Sequence, residues 1–127
     1  MAKNKKILIV EDEEPMLKAL ANKFKNEGFN VVAAADGEEG FNQALAEHPD
    51  LILLDIIMPK IDGITVAKQI RENKRWGKDV PIIMLTNLND PESVAEAAKF
   101  AVHDFLVKTD WRLDDIVKLV KDKLNLS

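Results

Sequence analysis

The feature that most limits how this chain can fold is an alternation, five times over, of short aliphatic runs with longer amphipathic stretches. The runs lie at Lys6 to Val10, Val31 to Ala35, Leu51 to Leu54, Pro81 to Leu85 and Phe105 to Val107, and they read as strands. Between the first two, Pro15 to Glu27 carries Met16, Leu17, Leu20 and Phe24 at helical spacing and meets Gly28, a residue suited to a left-handed helix end. Asp36 is placed to cap a second helix, and Gly63 to Asn73, Asp90-Pro91 to Phe100 and Leu113 to Leu126 supply three more. Strands alternating with helices imply a parallel sheet, right-handed crossovers and helices on both faces, a doubly wound α/β fold of (βα)5 type. A length of 127 residues, with no repeat, low-complexity tract or linker, suits one domain over residues 1–127.

Composition removes several function classes. No apolar run approaches the roughly 20 residues that span a bilayer, and the apolar Ile7 to Val10 ends at Glu11-Asp12-Glu13-Glu14, so it is no secretory core. The expected location is the cytoplasm. With no cysteine, disulfides and thiolate metal sites are excluded. A net charge of −4 leaves no electrostatic footprint for nucleic acid, so any influence on transcription must pass through another protein.

Polar residues at the strand ends gather one site from distant segments. The first strand ends in Glu11-Asp12, the third in Asp55, the fourth in Thr86 and the fifth in Lys108. Ligands in open α/β sheets bind beyond the carboxyl ends of the strands, so these side chains converge where chemistry is done. Three close carboxylates repel one another unless a cation neutralises them, and an all-oxygen set of this size suits Mg2+. Lys108 adds a point positive charge and Thr86 a hydroxyl donor, which together fit a tetrahedral anion, phosphoryl above all. Asp55 is then either a ligand alone or a nucleophile that forms an aspartyl phosphate.

On these residues the whole chain resembles a response-regulator receiver domain of two-component signalling, of the stand-alone chemotaxis type. Glu11-Asp12 matches that family's acidic pair, Asp55 its phosphoacceptor, Thr86 its switch hydroxyl, Phe105 its switch aromatic and Lys108 its lysine. Asp55-x-x-Met58-Pro59-x-x-Asp62-Gly63 reproduces the loop after the phosphoacceptor. The resemblance implies a flavodoxin-like sheet in the order 2-1-3-4-5. It also implies Mg2+ (or Mn2+) held by Glu11, Asp12, Asp55 and the backbone carbonyl of Ile57. Phosphoryl transfer would come from a sensor histidine kinase or a histidine phosphotransfer protein, and output would pass through the face formed by the fourth helix, fifth strand and fifth helix to a downstream protein. Such a chain is no turnover enzyme, carries no output domain, and is a monomer or a weak phosphorylation-linked dimer.

Departures from the family pattern carry their own expectations. Thr86 is followed by Asn87 where Ala or Gly is usual, which narrows access to the phosphoryl group or adds a hydrogen bond to it, and Lys108 by Thr109 in place of the usual proline, so the customary cis peptide is not expected. Ile57 and Leu88, two residues past Asp55 and Thr86, are both apolar and cannot orient an attacking water, so self-dephosphorylation is expected to be slow. Rival phosphate chemistries lack their residues. A haloacid-dehalogenase-type phosphatase or a Toprim nuclease needs a second aspartate where Ile57 stands, and a flavodoxin needs a Ser/Thr/Gly-rich loop where four acids follow the first strand. The alternative from another class is a pseudo-receiver that binds partners without being phosphorylated. His48 and His103 show no catalytic spacing, Trp76 and Trp111 are placed to pack over helix ends, and Ala101, where the family often has glycine, has no role visible in sequence.

Overall fold

Five strands and five helices alternate along the chain, and the computed structural model describes residues 5–73, 75–86, 91–108 and 112–126. They are β1 (Lys6–Val10), α1 (Glu14–Asn26), β2 (Asn30–Ala34), α2 (Gly37–Glu47), β3 (Leu51–Asp55), α3 (Gly63–Arg71), β4 (Ile82–Thr86), α4 (Pro91–Ala98), β5 (Asp104–Val107) and α5 (Leu113–Lys123). All strands pair in parallel in the order β2-β1-β3-β4-β5. The expected doubly wound sheet is thus the observed one, with the strand order the resemblance implied.

Side chains alternate across a strand, and here the alternation divides the core in two. Leu8, Val10, Ile52, Leu54 and Met84 point to one face and meet Ala44 of α2, Val66, Ala67 and Ile70 of α3 and Ala97 of α4. Ile7, Ile9, Leu51, Leu53, Ile83 and Leu85 point to the other and meet Leu20 and Phe24 of α1 and Ile116, Val117 and Val120 of α5. Because both faces are covered, the central strands are apolar up to their polar ends and read as unbroken runs in the sequence. No helix among the described residues is long and apolar enough to cross a membrane.

Local chemistry sets the helix ends. Gly28 takes φ 96°, its N–H donates to Lys25 O at 3.0 Å, and Phe29 N donates to Phe24 O at 3.1 Å. This is a Schellman ending, completed by Phe29 packing edge-on against Phe24 with ring centroids 5.4 Å apart. Asp36 caps α2 by accepting from Glu39 N at 2.8 Å, and Asp62 caps α3 by accepting from Thr65 N at 2.8 Å. Trp76 does cover a helix end: its ring stacks on His48, the left-handed C-cap of α2, at 5.0 Å, and Nε1 donates to Pro49 O.

Several boundaries differ from the sequence reading. β2 begins at Asn30 and ends at Ala34, β4 runs to Thr86, and β5 starts at Asp104. α3, α4 and α5 stop earlier than their apolar periodicity suggested, at Arg71, Ala98 and Lys123. The expectations attached to Asn87, Leu88, Asp90, Thr109 and Trp111 fall outside the described residues.

Candidate functional site

Strand register brings the polar ends together. Val10 pairs with Leu54, so the next residues, Glu11 and Asp55, leave neighbouring strands side by side. Asp55 pairs with Leu85, Thr86 pairs with Val107, and Lys108 N donates to Thr86 O at 2.6 Å, which fixes the lysine beside the end of β4. Gly63, at the start of α3, donates to Ile56 O at 2.7 Å, and a Cβ there would overlap the Asp55 carbonyl. Only glycine lets that helix start come so close to the end of β3.

Among the described residues, the buried polar or charged ones are Glu11 (0% exposed), Asp55 (4%) and Thr86 (6%). Burying such groups costs stability unless they are paired, so three at one spot mark a candidate functional site. One ammonium serves the two acids. Lys108 Nζ lies 2.5 Å from Glu11 Oε1, 3.1 Å from Asp55 Oδ2 and 3.1 Å from Glu13 Oε1. Glu11 is further fixed by Glu13 N, which donates to its Oε2 at 3.1 Å.

Too many carboxylates share this cation. Burial, then the hydrogen bond and charge of Glu11, push the Asp55 carboxyl up to about 7, with Lys108 working in the opposite direction. For Lys108, burial alone favours the neutral amine, but hydrogen bonds to Glu11, Asp55 and Glu13 outweigh it and raise its pKa, so the ammonium stays charged. Glu11, Asp12 and Asp55 each present an oxygen, all within 4.8 Å of one another. An oxygen-only set with Asp12 open to solvent and excess negative charge fits a hard divalent cation that keeps some of its waters.

The remaining candidates are placed as follows. Ile57 is 64% exposed at the mouth, two residues past Asp55. Phe105 pairs with Met84, is half-buried against the α2–α4 face, and so lies diagonally across the ladder from Thr86. His48 stacks on Trp76 and has no part in the site. Glu13 escaped the sequence reading: its contact with Lys108 spans 95 positions, and beside Glu14 and Pro15 it looks like any acidic helix start.

The response regulator receiver domain model matches residues 7–121. The alkaline phosphatase synthesis transcriptional regulatory protein PhoP of Bacillus subtilis is 40% identical over 105 residues, which is 83% of this chain and 42% of that protein. The chain therefore spans about two fifths of the length of the curated relatives it matches. Chemotaxis response regulator CheY4 of Vibrio cholerae superposes with a TM-score of 0.85 at 28% identity, covering 93% of this chain and 97% of that one. CheY in the CheX-CheY-BeF3-Mg2+ complex from Borrelia burgdorferi gives 0.85 at 31% identity, covering 96% and 90%. With the sheet order and the strand-end site of that fold present, and the family model spanning most of its length, this chain belongs to the response regulator receiver domain family.

Proposed function

We propose that Asp55 accepts a phosphoryl group from a phosphohistidine of a sensor histidine kinase or a histidine phosphotransfer protein. One observation carries the reading: a buried carboxylate ends the central strand within 3.1 Å of a buried ammonium and beside two further acids. In the transfer, an Asp55 oxygen forms a bond to phosphorus while the P–N bond breaks. The imidazole leaves with the electron pair and takes a proton. Lys108 favours the ionised, nucleophilic form of Asp55 and then donates to a phosphoryl oxygen, with the Thr86 hydroxyl donating to another.

Glu11, Asp12 and Asp55, with the backbone carbonyl of Ile57, are the residues that would hold Mg2+ or Mn2+. When bound, the ion would offset charge on the transferring group. A solved relative carrying BeF3 and Mg2+ supports that choice of ligand.

Thr86 drawn toward the phosphoryl group leaves space on its own face of the sheet, which the half-buried Phe105 ring can enter. That shift biases the surface of α4, β5 and α5 toward a form that a downstream protein binds. Ile57, apolar at the mouth, gives no group to orient a hydrolytic water, so the adduct decays slowly; Asn87 and Leu88, assigned similar tuning roles, lie outside the described residues. In this reading the chain catalyses its own phosphorylation without being a turnover enzyme. It works in the cytoplasm as a monomer or weak phosphorylation-linked dimer, with no direct contact to nucleic acid.

Incubation with acetyl phosphate, with and without Mg2+, followed by intact mass, tests the proposal beside Asp55→Asn. A metal-dependent adduct absent from the variant is expected. Mg2+ binding without any adduct would favour the alternative, an interaction module that needs no phosphorylation.

A further inference from the structure

Glu13 stands at the N-cap of α1, a position where Ser, Thr, Asp or Asn commonly satisfies a free N–H, yet its side chain makes no cap bond. It reaches instead to Lys108 Nζ at 3.1 Å. Lys108 Nζ donates to Glu13 Oε1 and Asp55 Oδ2, each at 3.1 Å, and lies 2.5 Å from Glu11 Oε1. The Lys108 side chain is only 6% exposed, so an incoming phosphoryl oxygen competes with these carboxylates for it. The side chains of Glu11 and Asp55 are 0% and 6% exposed, and before transfer releasing either would leave a buried charge unpaired. Glu13, at 57%, is taken up by water.

Resting on the phosphoacceptor reading above, we infer that Glu13 is the exchangeable counterion of Lys108, a positioning residue that holds the ammonium until a phosphoryl oxygen replaces it. The same charge stands at the mouth of the site and repels incoming anions, so Glu13 also makes the site discriminate against donors with high negative charge.

Glu13→Gln keeps the shape and removes the charge. Its second-order rate constant for Asp55 phosphorylation by acetyl phosphate is expected to rise by up to about fivefold, the range of an exposed ion pair. The gain should be smaller with the less anionic phosphoramidate. It should also shrink in about 1 M salt, where the screening length is ~3 Å. A purely structural role would change both donors alike and ignore salt. Equal rate constants for variant and wild type, with the Asp55 adduct forming in both, would overturn the inference alone. An absence of adduct in both would overturn the phosphoacceptor reading and this one with it. Matching thermal melts exclude misfolding of the variant as the cause of any difference.

Discussion

Replacing Arg71 by methionine should remove a fixture that the chemistry of the site never touches. Arg71 is the last residue of α3, and its guanidinium donates through Nε to Phe100 O at 2.8 Å and through Nη1 to Gly77 O at 2.9 Å and Val80 O at 2.7 Å, with Nη2 at 3.3 Å from Ala101 O. One planar fork thus ties the loop before β4 to the turn after α4. Burial lowers the pKa of this guanidinium while Asp79 counters it, as expected of a cation partly withdrawn from water. Hydrogen bonds to a charged group contribute about 1.5–3 kcal/mol each. Arg71 is only half-buried, so water can replace part of this, and about 1 kcal/mol for each of the three short bonds is the reasonable scale. Arg71→Met should therefore cost about 2–4 kcal/mol, or roughly 6–12 °C in melting temperature for a chain of this size. Arg71→Lys, a single point donor, should recover less than half of that. Urea unfolding followed by circular dichroism gives the magnitude. Hydrogen exchange at Ala101 and Val102, whose amides bond to Ala98 O and Ala97 O, locates it. A loss below about 1 kcal/mol, or a lysine variant equal to wild type, would show that water satisfies those carbonyls as well and would refute the reasoning.

Two further substitutions probe the backbone. Ala101 adopts φ 57°, a conformation costing a residue with a Cβ about 1–2 kcal/mol. Ala101→Gly should stabilise by about 0.5–1 kcal/mol after the entropy of glycine in the unfolded chain is subtracted, measured by urea unfolding, and a net loss would contradict the strain. Gly63→Ala places a methyl against the Asp55 carbonyl, so it should destabilise by about 1–3 kcal/mol and slow adduct formation at Asp55; wild-type values for both would mean that α3 can withdraw freely.

Most of the fold was legible because each central strand is buried on both faces and each helix on one. β1 was placed to the residue, and Gly28 and Asp36 announced the helix ends they form. The reading failed where burial and regular structure part company. Leu124 and Leu126 continue the apolar spacing of α5 and do pack on the core, yet the helix ends at Lys123. Asn73 looked like a helical residue, but its Oδ1 accepts from Arg75 N and Gly77 N and shapes the turn after α3. Ala101, mute in sequence, stands at a positive φ that spacing cannot reveal.

The site divides along a similar line. Glu11, Asp55, Thr86 and Lys108 were visible because a polar residue ending an apolar strand has few reasons to be there except chemistry. Glu13 was not, since an acid at a helix start usually faces solvent and Lys108 lies 95 positions away. As the inferred counterion of Lys108, Glu13 alters what those residues can do. Glu11, Glu13 and Asp55 set three carboxylates around one ammonium, with Asp12 close to Glu11 and Asp55, so the site without a metal ion carries more negative charge than Lys108 can balance. Adding an anionic donor to that arrangement deepens the imbalance. A dication at the acidic cluster and the departure of Glu13 from Lys108 both relieve it, the first by adding positive charge and the second by freeing positive charge already present. On this account metal and donor bind with positive coupling, and Glu13, the exposed carboxylate on Lys108 among the described residues, governs how strongly.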